Sequence, residues 1–198
     1  MDTLPIMNSA LWIRRSRPSA LSAPNIEVGS PGLLSSWMNE VVTHPRGSLL
    51  LVTPFVDEGL LDRSGPVGWF WHSLDHKAFC LRIWTLSLQV ADRLLLALSH
   101  WRWSDLNVHF GGPLHAKAYV HLTPEGNGSA LLGSMNFTAA GLRGVGELGV
   151  LVRAQGNPGL RQLVTALHSG LYVEMMAHPL CEIQQVTKEG SNVKSKLC

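Results

Sequence analysis

His115 and Lys117 stand one residue apart in this chain, Ser134 and Asn136 stand one residue apart again, and Glu147 follows. On a β-strand, residues two apart project from the same face. An imidazole and an ammonium, then a hydroxyl and an amide, then a carboxylate can thus converge at one end of a sheet. Ala116, Ala118, Val120 and Leu122 fall on the alternate face and read as core, while Tyr119 and His121 lie behind His115 and Lys117. Such a set suits attack on a phosphodiester. A neutral imidazole is a competent nucleophile near neutral pH. Lys and Asn donate hydrogen bonds to non-bridging oxygens, where charge develops in the transition state. A carboxylate holds the imidazole in one tautomer and stabilises it once it is cationic. The scheme requires no metal ion and no organic cofactor.

His-x-Lys alone is a common pattern, and its ordinary reading is a strand histidine bonded to a backbone carbonyl. The later Gly133-Ser134-x-Asn136 and Glu147 add to it. Together these elements resemble the phospholipase D superfamily, the HKD proteins. Their motif runs His-x-Lys, four residues, Asp, then Gly-Ser-x-Asn and commonly a later Glu. The resemblance spans roughly residues 45 to 175. It implies an α/β fold, a phospholipase D-like α-β-α sandwich with a mixed central sheet and one HKD motif per chain. It also implies an enzyme, a metal-independent phosphodiesterase acting through a phosphohistidine intermediate. His115 would be the nucleophile, Lys117 and Asn136 would hold the phosphate with Ser134 assisting, and Glu147 would orient the imidazole. One element departs from the pattern: the motif Asp would fall at 122, where this chain has Leu122. Position 122 is an odd number of residues from His115 and so faces away from it on a regular strand. The Asp would then be structural, and apolar packing can replace it.

In the resembling family two motifs meet at one site. One His attacks phosphorus; the other protonates the leaving oxygen and then activates water. This chain has one copy, since His76-Lys77 is adjacent rather than spaced. The resemblance therefore implies a homodimer with His115 of both subunits at the interface. Small single-motif members are often nucleases, so the expected partner is nucleic acid, DNA first. Two other readings stand beside it. One is phospholipid hydrolysis or phosphatidyl transfer, against which the lack of a basic amphipathic helix weighs. The other is a non-catalytic subunit of a larger defence or restriction complex, favoured by Leu122 and opposed by the intact reactive set.

The chain has 198 residues, 45% hydrophobic and 15% charged, with a formal net charge of +2. That excludes a disordered chain and fits one domain, taken as residues 31–178. Residues 1–30 read as an irregular N-terminal arm, with Arg14, Arg15 and Arg17, and 179–198 as a polar tail. The charge permits nucleic-acid binding without arguing for it. Low charge and seven Trp fit a sizeable interface. Cys80, Cys181 and Cys198 show neither paired nor metal-type spacing and read as thiols of a reducing compartment. His72 and His76 have helical metal spacing but no third ligand, so no metal is expected. No run is apolar enough for a signal peptide or a membrane anchor, and a cytoplasmic protein is the expectation.

The positioning elements follow from periodicity. Leu33, Leu34, Trp37, Met38, Val41 and Val42 recur at helical spacing after a Ser30-Pro31 start. Residues 48 to 56 are continuously apolar, as in a strand buried on both faces. That strand ends at Thr53-Pro54-Phe55-Val56-Asp57, where Phe55 or Asp57 lines a substrate groove or the chain simply leaves the sheet. Trp69-Phe70-Trp71 opens a helical segment running to Phe79; its aromatics read as core or interface rather than a base-stacking platform. A strand over 81–86, a helix over 88–101 and a strand over 105–110 follow. Gly111-Gly112-Pro113 turns into the His115 strand. Residues 139–146, with Gly141, Gly144 and Gly146, read as a flexible loop where Arg143 can contact substrate phosphate. Pro158 to Met175 reads as a packing helix. Strand and helix alternating, then several strands, is the pattern of an α/β sandwich.

Overall fold

The computed structural model describes residues 25–29, 32–75, 77–111, 114–177, 182–186 and 194–197. Nine strands are found among the described residues. They are β1 (Ile26–Gly29), β2 (Arg46–Val52), β3 (Ala78–Thr85), β4 (Asp105–Phe110), β5 (Ala118–Leu122), β6 (Gly128–Gly133), β7 (Gly149–Arg153), β8 (Glu182–Val186) and β9 (Lys194–Leu197). They form one mixed sheet in the order β1-β7-β6-β5-β2-β3-β4-β8-β9. β2, β3 and β4 run parallel, joined by helical crossovers, and the other pairings are antiparallel. The helices are α1 (Leu33–Val41), α2 (Gly68–Leu74), α3 (Leu88–Leu98), α4 (Ala139–Arg143) and α5 (Pro158–Ala177).

The continuous apolar run of β2 is explained by its central place. Leu49 and Leu51 meet Leu34, Trp37, Phe70 and Leu94 of α1, α2 and α3. Leu50 and Val52 point the other way, into a second core closed by Val164 and Met175 of α5. Each such side chain contributes about 1.5–3 kcal/mol by leaving water, and the two-sided burial makes the α-β-α sandwich. β5 obeys the same alternation. Ala118 and Val120 join the α5 side, while Tyr119 joins the α1–α3 side. Both faces of this strand are thus core, and Tyr119 and His121 are buried rather than lining a solvent face behind His115 and Lys117.

α3 starts where Ser87 Oγ accepts a hydrogen bond from Val90 N, and it turns Ala91, Leu94, Leu95 and Leu98 inward. The tryptophans serve the interior: Trp37, Trp71, Trp84, Trp101 and Trp103 are buried within the chain. Trp71 Nε1 donates to Leu60 O at 2.8 Å and Trp103 Nε1 to Leu98 O at 3.0 Å. They therefore do not supply the partner surface that their number led us to expect.

Several boundaries differ from the sequence-based expectation. β2 stops at Val52, because Pro54 has no N–H to continue a ladder. α2 ends at Leu74, and by Ala78 the chain is already in β3. Ile26–Gly29 pairs with β7, and Glu182–Val186 pairs with β4, so both segments expected to be irregular add a strand to the sheet. Arg153 of β7 binds Glu27 of β1 at 3.0 Å and Glu40 of α1 at 2.8 Å, fixing that edge. Ser30, Pro31, the arginines at 14, 15 and 17, His76, Cys181 and Cys198 lie outside the described residues.

Candidate active site

Strand register collects the candidate residues. Val52 pairs with Ala118, Ala118 with Leu132, and Leu132 with Val150. The segments beyond those residues, 53–57, 115–117, 133–136 and 147–148, all leave the sheet at the same end. Because β2 and β3 are parallel, this is also their carboxyl end, the edge where α/β sheets bind ligands. The ladder runs slightly past the strands: Gly133 N donates to Lys117 O at 3.2 Å, and Ser134 N to Leu148 O at 3.0 Å. His115 and Lys117 therefore precede β5 rather than lying in it.

Ser134 is the best-bonded of the five. Its hydroxyl donates to Glu147 Oε2 and accepts from Leu148 N at 3.1 Å. Lys117 Nζ donates to His115 O at 2.9 Å, which folds the ammonium back over the residue that carries the imidazole. The His115 side chain is exposed. The Glu147 carboxylate reaches Ser134, and no hydrogen bond joins it to His115. The structure thus pairs Ser134 with Glu147 and Lys117 with the His115 backbone, while the imidazole stays free to turn.

Asn136 is half-buried and its position is fixed from three sides. The buried Tyr119 hydroxyl donates to Met135 O at 2.8 Å. Burial, and then the nearby Glu147 charge, raise the phenol above its ordinary range, so Tyr119 remains a neutral donor. Phe137 N donates to Thr53 Oγ1 at 3.1 Å, and Asp57 N to Phe137 O at 2.9 Å, tying the residue after Asn136 to the end of β2. Below, Gly141 of α4 lies so close that a Cβ there would be 2.0 Å from Asn136 O. α4 itself is capped by Thr138 Oγ1, which accepts from Gly141 N at 3.1 Å. Residues 139–143 are therefore a short helix rather than the expected flexible loop. It ends at Gly144, which takes the left-handed conformation at φ 66°. Thr53, Tyr119 and Gly141 are the positioning residues that sequence reasoning passed over.

Arg143 is exposed on the last turn of α4 and bonds to none of those five. Leu122 sits at the opposite end of β5, paired with Ser48 and Gly128, and packs half-buried on the α5 core. His72 meets Trp101 edge-on at 4.9 Å. Among the described residues no group of three or more His, Cys, Asp or Glu side chains is placed to hold a metal. Cys80 is a free, half-buried thiol. Three apolar side chains stand out at this end of the sheet: Phe55 is 55% exposed, Val145 84% and Leu148 64%.

The sequence matches no family model and no curated protein. Solved structures do match. A phospholipase D family member, Nuc from Salmonella typhimurium, aligns at a TM-score of 0.52 and 13% identity, over 78% of this chain and 95% of that one. NucT from Helicobacter pylori aligns at 0.53 and 12% identity, over 76% and 94%. Yeast tyrosyl-DNA phosphodiesterase aligns at 0.40 and 13% identity, over 67% and 47%. At these identities the likeness is one of architecture, and the first two matches cover nearly the whole of their own chains. The mixed sheet and its two helical layers give this chain the phospholipase D fold.

Proposed function

We propose that this chain is a phosphodiesterase of nucleic acid, a nuclease that works through a phosphohistidine at a site shared by two copies. The observation that carries the reading is the gathering of His115, Lys117, Ser134, Asn136 and Glu147 at one sheet edge. The exposed His115 imidazole attacks phosphorus and displaces the nucleoside oxygen, which takes a proton from the partner copy's imidazole. That imidazole then removes a proton from water, and the hydroxide splits the phosphorus–nitrogen bond to free His115. Lys117 and Asn136 donate to the non-bridging oxygens throughout. The Ser134–Glu147 pair supplies the negative charge that stabilises the imidazolium formed during the cycle. Val145 and Leu148, exposed on either side of Glu147, offer apolar surface for the second copy to cover.

The test is incubation of the full chain with single- and double-stranded DNA and RNA in excess EDTA. We expect cleavage by the wild type and a loss of roughly a thousandfold or more in His115→Ala. Equal cleavage by His115→Ala would overturn the assignment. Turnover of phospholipid vesicles with no attack on nucleic acid would move the substrate to lipid.

A further inference from the structure

We infer that Phe55 is a specificity residue of this site: its ring is a platform on which one unpaired nucleobase beside the scissile phosphate stacks. The inference rests on the nucleic-acid reading above and adds to it a preference for single strands.

Of the five phenylalanines, Phe70, Phe79 and Phe137 are at most 2% exposed and Phe110 is half-buried, whereas Phe55 is 55% exposed. The backbone that carries it is held on both sides. Before it, Thr85 Oγ1 donates to Pro54 O at 3.2 Å, and Thr53 Oγ1 donates to Phe55 O itself at 2.9 Å. After it, Val56 forms a parallel bridge with Phe137. A ring with two side-chain torsions on a fixed backbone loses little entropy when it takes a ligand. Its place is also defined. Phe55 lies three residues past Val52, His115 lies three residues before Ala118, and Val52 and Ala118 are paired. The bridge partner Phe137 adjoins Asn136, so the ring and the phosphate-binding amide are carried by bonded neighbours.

The chemistry selects the ligand. Every nucleobase has a flat π-face, and stacking on an aromatic side chain tolerates sequence. In a duplex those faces are already covered by neighbouring pairs, so the ring can be used by an unpaired base alone. An acyl chain would ask for a continuous apolar surface, whereas the residues after Val56 are the exposed Asp57 and Glu58. Glu58 is paired with Arg93 at 2.8 Å, whereas the Asp57 carboxylate repels a phosphate backbone, which leaves the base as the group that meets this corner.

The experiment measures equilibrium binding by fluorescence anisotropy, with the full chain as wild type, Phe55→Ala and Phe55→Trp. The probes are a labelled single-stranded DNA, the same strand built from abasic nucleotides, a duplex, and anionic phospholipid vesicles read by co-sedimentation. We expect Phe55→Ala to weaken binding of the base-bearing strand about tenfold, to leave the abasic strand within about twofold, and Phe55→Trp to bind as well as wild type. An equal loss on both strands, no loss on either, or a Phe55-dependent affinity for vesicles in place of DNA would overturn the inference. Binding needs no turnover, so the two readings fail separately. Cleavage without a base-dependent loss removes the Phe55 platform alone; a base-dependent loss without cleavage removes the catalytic reading and keeps the platform.

Discussion

Tyr119 shapes the site without reaching substrate. Its hydroxyl holds Met135 O, the carbonyl between Ser134 and Asn136, and its ring packs between Trp37 at 5.7 Å and Phe137 at 6.2 Å. Tyr119→Phe keeps the ring and strands a buried carbonyl, a change that costs about 1–3 kcal/mol. We expect a lower urea midpoint together with reduced turnover, because Ser134 and Asn136 share the freed segment; unchanged kcat at a lowered midpoint would show that the bond serves the fold alone. Two residues further, His121 is fully buried with neither ring nitrogen hydrogen-bonded, and its ring lies tilted against His44 at 4.7 Å. Burial first, then His44, push its pKa down to about 3 from an ordinary 6.5. The unfolded chain thus binds a proton that the folded chain refuses. The resulting stability is complete above the unfolded value and drains away as pH falls from about 6.5 toward 3. A His121→Phe variant should lose less stability between pH 7 and pH 5 than the wild type does, as read by urea titrations at both; parallel losses would remove His121 as the cause. Strand alternation placed Tyr119 and His121 on one face from the sequence. It could not say that the face is interior, because a period of two reports which residues share a side and not what covers it.

At the scale of elements, α4 shows how a glycine cluster can mislead. Gly141, Gly144 and Gly146 read as flexibility, and for Gly144 and Gly146 the positive φ of 66° and 75° bears out a turn. Gly141 is different. It is helical, and it is glycine because the backbone of Asn136 passes directly over it, with the carbonyl oxygen, carbon and nitrogen all within 3.2 Å of where a Cβ would sit. Backbone does not yield as a side-chain tip does, so Gly141→Ala must lift the 134–137 segment or unseat the helix. We expect at least a tenfold fall in kcat/KM for the proposed reaction with the sheet intact by circular dichroism; wild-type kinetics would mean that Asn136 tolerates the shift. Such close approaches are long-range in sequence and leave no local trace beyond the residue type. The same holds for Thr53, whose hydroxyl links β2 to Phe137 across 84 positions. Leu122, by contrast, was legible: an odd step from His115 placed it on the far face, and it does pack on the α5 side of the sheet.

For the whole molecule, what was legible was the layering and not the strand count, since β1, β8 and β9 come from segments read as irregular. The order of elements gave the α/β sandwich, and the segments that carry the five polar residues leave the sheet at one end. The tryptophans were misjudged because composition cannot separate an interior from an interface; five of them fill the cores that this sheet needs on both faces. In the proposed mechanism each chain supplies one reactive imidazole. Two-step transfer through a phosphohistidine needs a second proton donor, and if that donor is the same residue of a second copy, activity must depend on subunit composition in a definite way. Mixing wild type with His115→Ala under conditions that exchange subunits gives three dimers, of which those with both imidazoles alone complete the cycle. Activity should then fall as the square of the wild-type fraction, to about a quarter at equal mixing. A chain that works alone would fall in proportion, to about a half, and a dimer with two independent sites would do the same. The curve therefore separates a shared site from mere association, which a measured solution mass does not. A linear curve from an active enzyme would place the second proton donor within the chain itself, and Lys117 would be the side chain to replace next.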